Sequence, residues 1–371
     1  MTHGVGVLRF APIIAVVALL AGCATATPPS TSHSATPTPP PRATAASAPG
    51  SRVPLKCSDL FTPSSVAVLV GAPVQVFRDE TTPPGYLYDV ANAELGVLGC
   101  EWAGDEGSEA GYFADVTVYI APDSGAGFQA NYSSDLAESP ANAGSPVENT
   151  AGDKSGYRCA AQGRSDETPL CTAQMLVGSY WVTVDLSAVA PATAVTASVS
   201  TQKVLTRVVA QLHAVGLPKT TAWVAPASTP PGFCTDPGRT AEVRTIMDAP
   251  GLVVFPSAKR SFDATTIASE RRDVGCMWTD PAEGYIGFDL LAGGSWVFPG
   301  WEPTPASDAV VDSYAPVTVP GASSALMGSG GGACEAYLAV GTTAVEISMN
   351  DLGTAKNIAA LSAFATAIAA S

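Results

Sequence analysis

The sequence predicts an α+β protein made of two tandem homologous domains, each a mainly antiparallel sheet packed with helices and stapled by a disulfide. Three observations carry that expectation. Gly-Cys-x-Trp occurs twice, as "LGCEWAGD" at 98–105 and "VGCMWTDP" at 274–281. Upstream, residues 57–74 align with 234–251 on a single offset, which places Cys57 on Cys234, Val66 on Val243 and Ala72-Pro73 on Ala249-Pro250. Downstream, 171–186 align with 334–349, Val177-Gly178 falls on Val340-Gly341, and each copy closes with an apolar-periodic segment. Four matched blocks in one order are the mark of an internal repeat.

The chain starts with an address. Residues 1–22 hold one basic residue, Arg9, and then the apolar run "FAPIIAVVALL". A bilayer span needs about 20 apolar residues, so the run fits a secretory signal peptide. The following Leu20-Ala21-Gly22-Cys23 resembles the lipobox of bacterial lipoproteins. That resemblance implies acylation of the Cys23 sulfur, cleavage before Cys23 and acylation of the new amino terminus. Two or three acyl chains anchor stably, at about 0.8 kcal/mol per buried methylene. Residues 23–54 are thick with Pro, Thr, Ser and Ala and predict a solvated tether of polyproline II character. At ~3.1 Å per residue it spans on the order of 90 Å when extended.

The expected organisation continues with repeat 1 over 55–218, a Pro-rich linker over 219–233 and repeat 2 over 234–371. Segments 64–71 and 241–248 carry helical spacing and stop at Ala-Pro, because the residue before proline avoids the helical region. Residues 112–120 alternate as a strand, with 285–291 as the looser counterpart. Residues 175–186 and 337–349 each predict two strands turning at Val-Gly. Segments 201–214 and 358–370 predict closing helices; the second is too short for a membrane anchor.

Strand alternation answers why Cys-x-Trp is written twice. Residues two apart on a strand share a face, so Cys100 and Trp102, and likewise Cys276 and Trp278, should enter one core. Cys57–Cys100 and Cys234–Cys276 are the first expected bridges, and Cys159–Cys171 would close a hairpin. With Cys23 lipidated, seven cysteines remain and Cys334 is alone. A bridge from Cys171 to Cys334 stays open, since connectivity does not follow from spacing.

Composition narrows function. The formal net charge is −15 and only 14% of residues are charged, which disfavours nucleic acid and polybasic docking on lipid. Three histidines, His3, His33 and His213, give no ligand-spaced pair, so no metal site is expected. No nucleophile elbow, Walker loop or dinucleotide fingerprint is present, and no cofactor is expected. "GSGGGAC" at 328–334 lacks a lysine and a following helix and predicts a hairpin loop. "GGSWVFPGW" at 293–301 concentrates Trp296, Phe298 and Trp301 beside Pro299. Those aromatics are the candidate binding surface, the other reading being a turn folded onto the core.

The lipobox, the tether and the Cys…Cys-x-Trp pattern together resemble actinobacterial cell-envelope lipoproteins of unknown function. More distantly they are similar to the extracellular sensor domains of actinobacterial serine/threonine kinases. The resemblance implies no catalytic residues. The expectation is an exported, membrane-anchored, non-enzymatic module that binds an envelope ligand or protein partner in the cleft between the two copies. The competing reading is an envelope hydrolase or transferase using Asp105, Glu106, Asp280 and Glu283, the carboxylates that flank the two Cys-x-Trp strands.

Overall fold

Capping residues start and stop the helices. In the computed structural model, which describes residues 49–104, 114–124, 128, 147–148, 151–161, 169–189, 193–219, 236–255, 273–280, 284–304, 311 and 313–370, α1 covers Cys57–Leu60 and α2 covers Pro63–Val70. The Thr62 hydroxyl caps α2 by accepting from the Ser65 amide, Pro63 occupies the first turn, and Gly71 ends the helix at φ 82°. Then come β1 (Gln75–Arg78), α3 (Leu87–Leu95), β2 (Leu98–Ala103), β3 (Asp115–Ala121), β4 (Val147–Glu148), β5 (Lys154–Ala161), β6 (Pro169–Val177), β7 (Tyr180–Ser187) and α4 (Ala194–Val215). The second half runs α5 (Pro237–Met247), β8 (Val253–Phe255), β9 (Asp273–Asp280), β10 (Gly284–Ala292), a 3-10 turn (Gly294–Val297), β11 (Ala315–Pro316), β12 (Ser324–Gly330), β13 (Ala333–Val340), β14 (Thr343–Asn350) and α6 (Thr354–Ala369).

The strands form two seven-stranded sheets. The first has the order β1-β2-β3-β7-β6-β5-β4, and the second, read from its β8 edge, has the order β8-β9-β10-β14-β13-β12-β11. Position by position the two orders are the same, and every pairing is antiparallel. The fold is α+β. The two Val-Gly pairs turn the β6–β7 and β13–β14 hairpins as expected. The Gly-rich stretch is a hairpin too: Gly328–Gly330 finish β12, and Gly331 and Gly332 make the turn at φ 50° and 92°. Two successive positive φ angles are what a tight hairpin turn requires, and glycine adopts them without strain.

One helix face closes each core. On α4 the buried residues Ala197, Val204, Leu205, Val208 and Leu212 recur at helical spacing and pack on the inner face of the first sheet. On α6, Ala360, Leu361, Phe364 and Ala365 do the same for the second. Cys100 and Trp102 lie in the first core and Cys276 and Trp278 in the second, so both pairs share a face with their core. The indoles rest on aromatic edges: Trp102 meets Phe61 at 5.6 Å, and Trp278 meets Phe288 at 5.6 Å. Phe288 in turn meets Phe364 of α6 at 4.7 Å, joining sheet to helix.

Cys57–Cys100 and Cys159–Cys171 are bridged. Cys276 is disulfide-bonded, while Cys234, its expected partner, lies outside the described residues, as does Cys23. Cys334 is free and buried, and Cys171 already has its partner, so the alternative Cys171–Cys334 bridge is excluded. The fold also claims chain earlier than composition suggests. Val53, at the end of the segment read as tether, is buried in the first core. Arg52 donates its amide to Gly96 O at 2.8 Å and accepts from the Lys219 amide at 2.8 Å.

The Cys57–Cys100 bridge ties α1 to β2 across 43 residues, whereas Cys159–Cys171 spans 12. Loop-closure entropy makes the first worth about 4 kcal/mol and the second about 3 kcal/mol. Urea unfolding of Cys57→Ala/Cys100→Ala is expected to show the larger loss, and Cys159→Ala/Cys171→Ala the smaller.

Candidate functional site

The site is built on α3, a helix with two working faces. Its apolar face, Leu87, Val90 and Ala91, packs on the outer face of the second sheet against Leu291, Ala339 and Ala344. The 3-10 turn and the residues after it complete this cluster with Val297, Phe298 and Trp301. Trp301 meets Phe298 edge-on at 5.4 Å and Tyr337 at 4.8 Å. Three hydrogen bonds cross between the halves here. The Trp301 indole donates to Pro84 O at 2.7 Å, the Trp296 indole to Glu94 Oε1 at 3.3 Å, and the Thr304 amide to Gly85 O at 2.9 Å. A Cβ on Gly85 would stand 2.6 Å from Thr304 Oγ1, so glycine permits this close approach.

The predicted aromatic surface is therefore folded down rather than presented. Phe298 and Trp301 are buried, and Trp296 is half-buried. Yet the same turn borders a cleft of about 680 Å³ between the halves. Trp296, Pro299 and Trp301 form one wall, Val97, Gly99 and Tyr119 another, and the 79–85 loop the rim. Arg78, Asp79, Glu80, Asp89, Asn92 and Glu302 also line it, and its volume is in the range of small-ligand sites.

The polar groups come from β1 and α3. A register shift between Val76 and Arg78 lets both pair with neighbouring residues of β2, Val76 with Trp102 and Arg78 with Glu101. The Arg78 guanidinium pairs with Asp89 Oδ1. Asp89 Oδ2 accepts from the Gly85 amide at 3.0 Å and the Tyr86 amide at 3.2 Å, capping the start of α3. Burial works against the Arg78 charge, but the Asp89 carboxylate beside it outweighs that and holds the guanidinium more firmly protonated than usual. One turn further along α3, Asn92 is 5% exposed and lines the cleft, and neither atom of its carboxamide has a hydrogen-bond partner. Arg78 Nε is also unpartnered, lying 4.0 Å from Glu101 Oε2, too far for a hydrogen bond.

Sequence reading missed α3, Arg78, Asp89 and Asn92. A signal was present: Asp89 sits where a first-turn acid belongs, Leu87, Val90, Ala91 and Leu95 share a helical face, and Gly96 ends it at φ 72°. Of the flanking carboxylates, Asp105, Glu106 and Glu283 lie outside the described residues. Asp280 ends β9, with its side chain outside them as well. Among the described residues no group of His, Cys, Asp or Glu is arranged to hold a metal ion. No protein-family model, no curated protein and no solved structure matches this chain.

Beside the cleft, two carboxyls share the outer face of the first sheet. Burial raises the Glu101 pKa, and Arg78 opposes that rise. Burial, helped by the Glu101 charge, pushes Asp115 up to about 7, against the Thr117 hydroxyl that donates to it at 3.0 Å. An unfolded aspartate ionises near 4, so between about 4 and about 7 the folded chain holds a proton the unfolded chain has lost. Stability from this residue therefore falls as pH rises through that window and is level above it. Asp115→Asn is expected to be more stable than wild type at pH 8, the gap closing towards pH 4, when urea unfolding is compared across roughly that range.

Proposed function

We propose that this is an exported protein, anchored through lipid on Cys23 to the outer face of the cell membrane, that binds a ligand in the cleft between two duplicated halves. The reading is non-enzymatic. The observation that carries it is the cleft of about 680 Å³ with aromatic walls and an unpartnered, buried Asn92 at its edge.

Support for the address comes from the short apolar run, Leu20-Ala21-Gly22-Cys23 and the Pro/Thr/Ser stretch. The bridged cysteines are compatible with an oxidising, extracytoplasmic space. Among the described residues no helix is long and apolar enough to cross a membrane. Duplication is supported by the matched sequence blocks, which recur in the same order, together with the common strand order. These features accord with the resemblance to actinobacterial envelope lipoproteins. The partner at the envelope is a ligand or protein; the acidic composition disfavours nucleic acid.

Two experiments test the proposal. Cys23→Ser is expected to leave the membrane fraction and to lack acyl chains by intact mass; retention of wild-type fractionation would refute the anchor. Ala93 lines the cleft, so Ala93→Phe should block it. In calorimetric screening of soluble envelope fragments against the full-length protein, hits are expected to bind wild type and to lose about tenfold or more in this variant. Hits that bind both proteins alike would remove the cleft from the account.

A further inference from the structure

Charge and access decide what the cleft can take. Four carboxylates, Asp79, Glu80, Asp89 and Glu302, line it against a single guanidinium, that of Arg78. Arg78 and Asp89 pair with each other, and the second Asp89 oxygen takes two backbone amides. Asp79, Glu80 and Glu302 have no ion pair among the described residues. All three reach solvent: Glu80 and Glu302 are exposed and Asp79 is half-buried. The bonds to Asp79 from Thr81 and Thr82 fall on Oδ1, and the Cys57 amide takes only Oε2 of Glu80, at 3.1 Å. One oxygen of each carboxylate therefore stays open. The Thr81 hydroxyl and amide, with Thr82, hold Asp79 below the usual carboxylate range, so it is charged at neutral pH. The field in the cleft is negative and repels anions.

The walls add a second demand. Trp296 and Trp301 have already spent their indole N–H groups on Glu94 and Pro84, so each ring has only apolar π surface left to offer. Pro83, Pro84 and Pro299 extend that surface. Such walls suit hydrocarbon and, through the ring faces, cations. A bare metal ion does not fit, because no group of carboxylates among the described residues is arranged to hold one. Asp79 and Glu80 instead follow β1 in the first half, while Glu302 follows the 3-10 turn of the second. We infer that the cleft takes a small oligoamine, whose ammonium groups pair with Asp79, Glu80 and Glu302 and whose aliphatic stem lies on the indole and proline wall. This rests on the cleft-binding reading above. Charge on both sides of the cleft calls for more than one ammonium group, and the apolar wall calls for the stem between them.

Calorimetry on the full-length protein in detergent tests the inference with four probes: 1,4-diaminobutane, spermidine, 1,4-butanediol and calcium chloride. At least one amine is expected to bind about tenfold or more tightly than the uncharged diol and than calcium. Its affinity should fall as salt rises, since the pairs at the rim are screened. Glu302→Gln is expected to weaken amine binding about threefold or more with the thermal midpoint unchanged, because Glu302 is exposed and supports no other contact. Ala93→Phe should abolish it. Diol or calcium binding as tightly as the amines overturns the oligoamine assignment, as does full affinity in Glu302→Gln. Amine binding that survives Ala93→Phe places the amine elsewhere on the acidic chain and also overturns it. No amine binding, with blocked hits in the Ala93→Phe fragment screen, overturns the oligoamine assignment and keeps the cleft as a site; no blocked hits in either assay overturns the cleft reading itself.

Discussion

The docking of α3 against the second sheet is the contact on which the rest of the structure depends. Leu87, Val90 and Ala91 bury against Leu291, Ala339 and Ala344, with Trp301 wedged between them and Tyr337. Burying an aliphatic or aromatic side chain of this kind is worth roughly 1.5–3 kcal/mol relative to exposure. The indole and backbone hydrogen bonds to Pro84, Glu94 and Gly85 add direction to what burial alone would leave loose. They fix the rotation of α3 about its own axis. That rotation puts Asp89 and Asn92 beside the cleft.

Once α3 is held, the polar edge of the cleft follows. Asp89 lies in the first turn, where its carboxylate takes two backbone amides and the Arg78 guanidinium together. An ion pair this buried is weak evidence for stability, since desolvating both charges offsets most of their attraction. Its evident consequence is geometric: it ties the end of β1 to the start of α3. Asn92, one helical turn on, has no such tie. The fold thus satisfies Asp89 and leaves the Asn92 carboxamide buried without a partner.

The two halves share a strand order but not an outer face. On the first sheet that face carries Glu101, Asp115 and Thr117 beside Tyr119, and burial keeps Asp115 protonated to about 7. On the second sheet the corresponding face carries Leu291, Ala344, Tyr337 and Ala339. Alternation makes such a difference possible, because the two faces of a strand are set by alternate residues. The inner faces remain alike, each with Cys-x-Trp and a closing helix. The difference between the halves lies on the outer faces of the strands and in the segments between them.

What the sequence determined by itself was local and periodic. Val-Gly pairs marked two hairpins, Ala-Pro marked two helix ends, and Cys-x-Trp marked two core-facing strands, because period, capping and turn chemistry are written in neighbouring residues. Cys57–Cys100 and Cys159–Cys171 were also within reach, since each joins cysteines close along the chain, 43 and 12 residues apart. Trp296, Phe298 and Trp301 were visible as a cluster, but whether they face solvent or a core depends on what lies opposite. Only the tertiary structure decided that, by bringing α3 of the first half onto Trp301 from more than two hundred positions away, as the bond from Trp301 to Pro84 records at a separation of 217. Arg78, Asp89 and Asn92 read as ordinary polar residues in the sequence, because burial is a property of the packed whole.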